Sequence, residues 1–374
     1  MATIKGGPGR GINFDGLSLL NFLEGPTGRT PTGFIVANGS EIVGHNFTYD
    51  VNGNPISGIV TEINVVTNGS LLMTIAGLQM PIQTLQEFAQ DVTATRFLTA
   101  VLAGNDKIGG SEAGVSANVI VGFAGNDSID GAEGDDTLRG GSGNDSLTGG
   151  DGFDSLIGGV GNDIYAVDDA NDILDEIGGK GLDTVIVRGS SFSLFTNSRG
   201  SIENIQIVAN VDSFVSGNDL NNKITGNDLK SSIFGLGGND TIDAGGGDDT
   251  LNGGAGADRL LGGGGADDLF GGFGRDMLVG GDGDDSYAVD DEDSVTEALG
   301  GVLGGEDSVR YNGTKGSYSL SANVENLVLG SGTTGAGNGL DNEITGNLLN
   351  NKLFGLAGDD DLDGAAGDDT LDGG

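Results

Sequence analysis

Aspartate residues recur every nine positions through much of the chain, and they are its main candidates for chemistry. Three series are present: Asp127, Asp136, Asp145, Asp154 and Asp163; then Asp240, Asp249, Asp258, Asp267, Asp276 and Asp285; then Asp360 and Asp369. Ionised carboxylates are hard oxygen ligands, which suit hard divalent cations. The series therefore predicts rows of cation sites, and since we find no catalytic constellation we expect no enzyme activity.

Each aspartate belongs to a repeat of the form Gly-Gly-x-Gly-x-Asp-x-apolar-x. A glycine stands two positions before every aspartate of the three series: Gly125, Gly134, Gly143, Gly152, Gly161, Gly238, Gly247, Gly256, Gly265, Gly274, Gly283, Gly358 and Gly367. A glycine-rich turn can direct several backbone carbonyls toward a bound cation, because no Cβ atom obstructs them. We expect these glycines to complete the metal sites that the aspartates begin.

Calcium is the cation that the available ligands favour. It accepts about six to eight oxygen ligands with loose geometry, whereas magnesium demands a stricter octahedron. Transition metals prefer histidine or cysteine, and the chain has a single histidine, His45, and no cysteine. The sequence therefore predicts several bound Ca²⁺ ions.

The repeat also predicts the elements that hold these ligands. Two nonapeptides can form one coil, in which each half has a strand of about three residues around the apolar position and a turn of about six. Residues two repeats apart then stack about 4.8 Å apart, so Asp127, Asp145 and Asp163 share one column and Asp136 and Asp154 the opposite one. Carboxylates about 5 Å apart repel by about 3 kcal/mol at an effective dielectric constant of about 20, so a cation must separate them.

The composition agrees with cation binding and excludes several partners. With 56 acidic and 16 basic residues and a net charge of -40, the chain would repel both nucleic acid and an anionic membrane surface. No apolar run is long enough to span a membrane, and no apolar segment near the N-terminus indicates Sec export. The 75 glycines would indicate disorder if the apolar residues did not recur with the repeat.

The chain changes character near Ala103 and Gly104, which predicts a modular organisation. We expect an N-terminal domain over residues 1–103, a first β-roll over 104–168, a connecting β segment over 169–216, a second roll over 217–290, a second connecting segment over 291–336, and a third, apparently truncated roll over 337–374. In the first domain, Asn68-Gly69 predicts a hairpin, and Pro81 begins an apolar stripe with helical spacing. The expected fold is mainly β: a parallel β-roll (right-handed β-helix) of calcium-binding nonapeptide repeats in tandem modules, preceded by a small α+β domain.

Four turns keep the apolar spacing but lack the aspartate, which is replaced by Asn222, Ser231, Asn342 or Asn351. The core spacing therefore survives at these turns while the charge is lost. Asparagine or aspartate also precedes many of the repeat aspartates, and we expect these residues to act as turn formers first and calcium ligands second.

The repeats resemble the calcium-binding nonapeptides of the repeats-in-toxin (RTX, haemolysin-type) family over most of residues 104–374. The segments beginning Tyr165-Ala166-Val167-Asp168 and Tyr287-Ala288-Val289-Asp290 are similar to those in serralysin C-terminal domains and mannuronan epimerase repeat modules. The resemblance implies that each carboxylate bridges calcium ions held between successive turns, with neighbouring glycine-turn carbonyls completing the shell. It also implies export of the unfolded chain by type I secretion machinery, and an extracellular or cell-surface location on bacteria.

The function that these features favour is a non-catalytic, extracellular calcium-binding protein that is unfolded in the low-calcium cytosol and folds outside. One alternative is a surface-array or adhesive protein whose N-terminal domain holds a partner such as a cell-surface glycan. Another is the folding and export module of a larger secreted enzyme. A haem-carrying role for residues 1–103 is a weaker alternative, because it depends on His45 and Tyr49 alone.

Overall fold

The computed structural model describes residues 3–6, 26–30, 33–36, 41–49, 55–67, 70–81, 105, 107–109, 119–176, 178–297 and 305–374. The chain forms two compact units, one made of residues 1–185 with 197–201 and the other of residues 186–196 with 202–374. The domain boundaries expected from the sequence remain predictions.

The first unit begins with antiparallel strands. These are β1 (Thr3–Gly6), β2 (Pro26–Thr30), β3 (Gly33–Val36), β4 (Glu41–Tyr49), β5 (Pro55–Thr67) and β6 (Ser70–Pro81). Strands β5 and β6 pair directly at Thr67 and Ser70, so the hairpin that Asn68-Gly69 predicts is confirmed. Pro81, expected as the first residue of a helix, is instead the last residue of β6 and pairs with Ile59, while the apolar stripe that follows it lies outside the described residues.

The remainder of the first unit consists of short parallel strands in two stacks. The strands are β7 (Lys107–Gly109), β8 (Val119–Ala124), β9 (Ser128–Glu133), β10 (Thr137–Ser142), β11 (Ser146–Asp151), β12 (Ser155–Val160), β13 (Ile164–Val167) and β14 (Ile173–Glu176). One stack is β7-β9-β11-β13 and the other is β8-β10-β12-β14, with β1 beside β7. Each strand therefore pairs with the strand two places along the chain, as in the predicted β-roll.

Residues 184–200 form β15 (Thr184–Val187), β16 (Ser191–Ser193), the single-turn helix α1 (Leu194–Asn197) and β17 (Ser198–Gly200). Strand β17 extends the first unit's second stack by pairing with β14.

The second unit repeats the same architecture over more coils. Its strands are β18 (Asn204–Ile207), β19 (Ser213–Ser216), β20 (Lys223–Asn227), β21 (Ser231–Gly237), β22 (Thr241–Gly246), β23 (Thr250–Gly256), β24 (Arg259–Gly264), β25 (Asp268–Gly274), β26 (Met277–Asp282), β27 (Ser286–Val289), β28 (Ser294–Thr296), β29 (Ser308–Tyr311), β30 (Ser317–Ser319), β31 (Asn326–Leu329), β32 (Thr334–Ala336), β33 (Glu343–Thr345), β34 (Lys352–Phe354), β35 (Asp361–Asp363) and β36 (Thr370–Asp372). Even-numbered strands β18 to β28 form one parallel stack, and odd-numbered strands from β19 to β35 form another that also includes β16. Strands β30, β32, β34 and β36 form a third.

In the parallel rolls of each unit, most of the short strands contribute one apolar side chain to a central line. The residue two positions after each aspartate points inward, and most of these side chains are completely buried, as at Leu138, Leu156, Leu251 and Leu269. The predicted mainly β fold and the parallel β-roll are therefore confirmed. The apolar side chains of the last coils are less completely buried; Leu371, for example, is 47% exposed.

The strands of the first two blocks are longer than the expected three residues. Most of them have six or seven, because the extended chain continues through the glycine pair, where Gly141 stays in register with Gly159. The glycines permit this pairing, since a Cβ atom on Gly141 would overlap with the carbonyl oxygen of Phe123 in the neighbouring coil. The turns are correspondingly shorter than expected.

Candidate metal centre

The repeat aspartates form hydrogen-bonded columns along each stack. The Oδ1 atom of Asp145 accepts the backbone N–H of Asp127 at 2.8 Å, and Asp163 accepts the N–H of Asp145 at 2.8 Å. The second block repeats this contact, as between the Asp240 N–H and Asp258 Oδ1 at 2.7 Å. The opposite column is also present, since Asp154 Oδ1 accepts the Asp136 N–H at 2.8 Å, and one oxygen of each of these carboxylates therefore has a backbone donor.

In most of the repeat aspartates the other carboxylate oxygen is buried without a donor. Within the described part of the chain, the Oδ2 atoms that accept no hydrogen bond include those of Asp145, Asp154, Asp163, Asp240, Asp249, Asp258, Asp267, Asp276, Asp285 and Asp360. A buried anionic oxygen that lacks a partner costs several kcal/mol unless a cation or donor compensates it. Each column therefore has the form of a site that requires a positive charge.

Backbone carbonyls converge on the same spaces. The first glycine of each repeat faces its own aspartate, and a Cβ atom on Gly235 would overlap with Asp240 Oδ2 and lie 2.6 Å from the Gly253 carbonyl oxygen. A Cβ atom on Gly253 would likewise overlap with Asp258 Oδ2 and lie 2.7 Å from the carbonyl oxygen of Gly271. An unpartnered carboxylate oxygen and a carbonyl from the next coil thus surround one small space, which is the all-oxygen environment that Ca²⁺ prefers.

Burial changes the acidity of these carboxyl groups. Loss of solvation raises the pKa values of Asp154, Asp240, Asp249 and Asp285 to about 7, and charged neighbours add to the rise. The pKa of Asp163 rises to about 6 for the same first reason. The sequence predicted repulsion within the columns, but desolvation is the largest cause of the raised pKa values; the backbone hydrogen bond to each carboxylate opposes it, and repulsion adds a smaller rise.

The glycines two positions before the aspartates have left-handed backbone conformations. All thirteen predicted glycine positions have positive φ angles, between 98° at Gly247 and 147° at Gly152. A Cβ atom would be strained at such angles, and at Gly143 it would also overlap with the Gly125 carbonyl oxygen. These glycines therefore form the turns. The first glycine of each repeat, by contrast, lies directly beside the carboxylate of its own aspartate.

Where asparagine or aspartate precedes a repeat aspartate, its side chain forms a second hydrogen-bonded ladder. Asn126 Oδ1 accepts the N–H of Asn144 at 2.8 Å, and Asn144 Oδ1 accepts the N–H of Asn162 at 2.8 Å. These contacts run in the opposite direction to the aspartate ladder. These residues therefore also hydrogen-bond successive coils to each other, in addition to the expected turn-forming role. The sequence did not indicate these contacts between coils.

Aspartates outside the nonapeptide series close the blocks. Asp172 Oδ1 accepts the Asp154 N–H at 3.0 Å, and Asp293 Oδ1 accepts the Asp276 N–H at 3.0 Å. Their second oxygens accept local backbone N–H groups, as from Asp290 to Asp293 at 2.7 Å. Sequence reasoning missed both residues, although Leu174 and Val295 follow them at the same spacing of two.

The other column of each block ends in a cluster of three buried carboxylates. The clusters are Asp163 with Glu176 and Asp183, and Asp285 with Glu297 and Asp307, and in each the carboxylate oxygens lie within 4.8 Å of one another. A tyrosine hydroxyl joins each cluster, since a Cβ atom on Gly280 would overlap with both Tyr287 Oη and Asp285 Oδ2. These clusters are candidate metal sites that sequence reasoning missed, and the repeated Asp-x-apolar-x-Glu pattern could have found their glutamates.

The third block differs from the first two. Asp360 Oδ1 accepts the Asn342 N–H at 2.9 Å, and Asp369 accepts the Asn351 N–H at 2.8 Å. Asp360 Oδ2 is buried without a donor, whereas Asp369 lies at the exposed last turn. Both predicted residues therefore take the expected ladder position, but only Asp360 has a buried Oδ2 atom like those of the earlier blocks, and its side chain as a whole is half-buried.

Comparison with known families agrees with this geometry. The family model for the RTX calcium-binding nonapeptide repeat (4 copies) matches residues 103–138, 112–147, 139–174, 216–251, 225–260, 261–291 and 336–374, which together cover half of the chain. No curated protein matches the chain significantly. Among the described residues, no helix has the length and apolar character needed to cross a membrane.

Proposed function

Because the chain belongs to the RTX calcium-binding nonapeptide repeat family, we propose that it is an extracellular protein that folds into β-rolls when it binds several calcium ions after type I secretion. In this proposal the protein is a non-catalytic calcium-binding protein. The single observation that carries it is the set of buried Oδ2 atoms, which have no donor and which face backbone carbonyls of the next coil.

The ligands for calcium come from the columns and from the block ends. The repeat aspartates would supply Oδ2, and the glycine-rich turns would supply carbonyl oxygens. The two clusters around Glu176 and Glu297 would hold further ions where the first and second blocks end. Bound calcium supplies positive charge to these carboxylates, which the protein's 16 basic residues are too few to neutralise.

The chain's own residues then explain why folding depends on calcium. With one small apolar side chain per nonapeptide, the core cannot offset the desolvation of a buried carboxylate in every repeat. A ligand that binds only the folded state stabilises it by about 2.7 kcal/mol per site at a concentration of about one hundred times Kd. Several sites in one stack make the transition steep, so the chain would stay unfolded in a low-calcium cytosol and fold outside the cell.

The proposal is tested by following the far-ultraviolet circular dichroism of the metal-free protein while calcium is added, with magnesium as the control. We expect a steep gain of β signal with calcium and none with magnesium at the same concentration. A β signal already complete in the metal-free protein would refute calcium-dependent folding, and with it the proposed link to secretion.

A further inference from the structure

The turns that carry asparagine in place of the repeat aspartate use a different way of satisfying the buried oxygen. Asn222 and Asn342 occupy the aspartate position at the start of the second and third blocks, and each is 2% exposed. The Oδ1 atom of Asn222 accepts the backbone N–H of Asn218 at 2.9 Å, and Asn342 Oδ1 accepts the N–H of Asn338 at 2.8 Å. The Asn222 Oδ1 atom lies beside Gly217, as the unpartnered Asp240 Oδ2 atom lies beside Gly235, but the oxygen in the asparagine turn already has a donor.

The amide nitrogens of these asparagines add contacts that a carboxylate cannot make. Asn222 Nδ2 donates to the carbonyls of Ile202 at 3.1 Å and Glu203 at 3.3 Å, in the preceding coil. Asn342 Nδ2 donates to the corresponding carbonyls of Val324 at 3.3 Å and Glu325 at 3.1 Å. The same network thus occurs twice in the second unit, and it links each block to the coil before it.

The backbone of these turns also differs from that of the aspartate repeats. Asn218 and Asn338 replace a glycine, and their Oδ1 atoms accept the N–H groups of Leu220 and Leu340 at 2.8 and 2.9 Å. These leucines stand where the aspartate repeats have a left-handed glycine, and neither has a positive φ angle. Such asparagine turns form by local hydrogen bonds alone.

The coils that contain these turns bury at least as many apolar side chains as an equal length of the repeats, where residues 240–275 bury Ile242, Ala244, Leu251, Leu260 and Leu269. Between residues 202 and 237 the buried set is Ile202, Ile205, Ile207, Ala209, Val215, Ile224 and Ile233, and between residues 321 and 356 it is Val324, Leu327, Leu329, Ile344 and Leu353. At the aspartate position these regions carry Asn222, Ser231, Asn342 and Asn351, all neutral. They therefore have a core without the column of buried carboxylates that destabilises the metal-free repeats.

We propose that residues 202–237 and 321–356 are cation-independent regions, in which the asparagine amide replaces the cation, and that they remain structured when calcium is absent. Each region presents a preformed strand edge at the start of its block, onto which calcium-binding coils are added. This inference rests on the proposed calcium-dependent folding of the aspartate repeats, and it assigns the start of that folding to particular coils.

Hydrogen–deuterium exchange of the full chain, read by mass spectrometry with and without calcium, tests this inference. In metal-free buffer we expect peptides from 202–237 and 321–356 to exchange at least about tenfold more slowly than peptides from 240–285. Calcium should then slow exchange in 240–285. Equal exchange rates for these three regions in metal-free buffer would overturn the inference, whereas a failure of calcium to slow 240–285 would instead refute the proposed function.

Asn222→Asp is the decisive variant, with Asn221→Asp as its matched control. Both variants add one negative charge. Asn222→Asp removes the Nδ2 donors, whereas Asn221→Asp keeps a side-chain oxygen for the Asn239 N–H, which Asn221 Oδ1 accepts at 2.7 Å. Aspartate already fills this role in the third block, where Asp341 accepts the N–H of Asp359 at 2.7 Å. We expect Asn222→Asp alone to speed metal-free exchange in 202–237, by about tenfold for the lost buried contacts, and to leave 321–356 unchanged. Identical behaviour of the two variants would overturn the role of the amide.

Discussion

Asp145 and Asp127 are linked by a hydrogen bond in which the Asp145 carboxylate accepts the backbone N–H of Asp127 at 2.8 Å. The same carboxylate has its other oxygen buried without a donor. One oxygen therefore holds the register between successive coils, and the other is left for a cation. This division lets the two roles of a repeat aspartate be separated by mutation.

Replacing Asp145 by asparagine should weaken calcium binding more than it disturbs the coil. The amide retains an oxygen for the Asp127 N–H, but it removes the charge that attracts the cation. We expect isothermal titration to show at least about a tenfold loss of calcium affinity for Asp145→Asn or Asp258→Asn, which is about 1.4 kcal/mol per site. Asp369→Asn, at the exposed last turn, should have a smaller effect. Equal losses at all three positions would argue against stacked columns.

Glu176→Gln and Glu297→Gln should each remove a calcium site at the end of a block. Glutamine preserves the size of the side chain while it lowers the negative charge of a cluster of three buried carboxylates. We expect calcium analysis of the folded protein to show fewer ions per chain, and the calcium midpoint of folding to rise. The exposed Glu292→Gln is the control and should change neither value. Unchanged stoichiometry in both cluster variants would exclude metal binding there.

Gly265→Ala should destabilise the calcium-loaded fold, whereas Gly264→Ala should be tolerated. Gly265 has a φ angle of 122°, and its Cβ atom would overlap with the Gly247 carbonyl oxygen; nothing lies within 4 Å of a Cβ atom on Gly264. We expect Gly265→Ala to lose at least about 1–3 kcal/mol of unfolding free energy, which urea denaturation in calcium would measure. Similar stabilities for these adjacent variants would contradict the left-handed turn.

Acidification should partly replace calcium. The pKa values of Asp154 and Asp240 are raised by burial from 3.8 to about 7, so the folded state binds more protons than the unfolded state between these values. The stability of the metal-free fold is therefore greatest below pH about 4 and is lost as the pH rises through about 7. We expect metal-free protein to gain β signal in circular dichroism between pH 8 and pH about 5.5.

Calcium binding should show the opposite pH dependence, because the ligands must be deprotonated. The apparent calcium affinity of the folded protein, measured by isothermal titration, should fall as the pH falls from about 7 to about 6, the range in which Asp154, Asp163 and Asp240 gain protons. A calcium affinity that is independent of pH across this range would show that these carboxylates do not ligate the ion.

Much of the fold and of the metal site is determined by the sequence alone. The spacing of nine between aspartates and of two between each aspartate and its apolar residue predicts the coil, the inward line of Leu138 and Leu156, and the two columns. The prediction succeeds because a strict period allows only one arrangement that buries every apolar residue. The lack of cysteine and the single histidine limit the ligands to oxygen in the same way.

Only the tertiary structure decides how the two oxygens of each carboxylate are used and how the blocks end. Glu176 and Asp183 join Asp163 through segments of irregular length, since Asp183 follows it by 20 residues and not by 18, so no fixed period could place them together. Desolvation likewise depends on the packing around Asp154, which a list of spacings does not contain. The sequence therefore specifies the repeating unit through its period, whereas the contacts between coils determine which carboxylates are buried, paired or left for a cation.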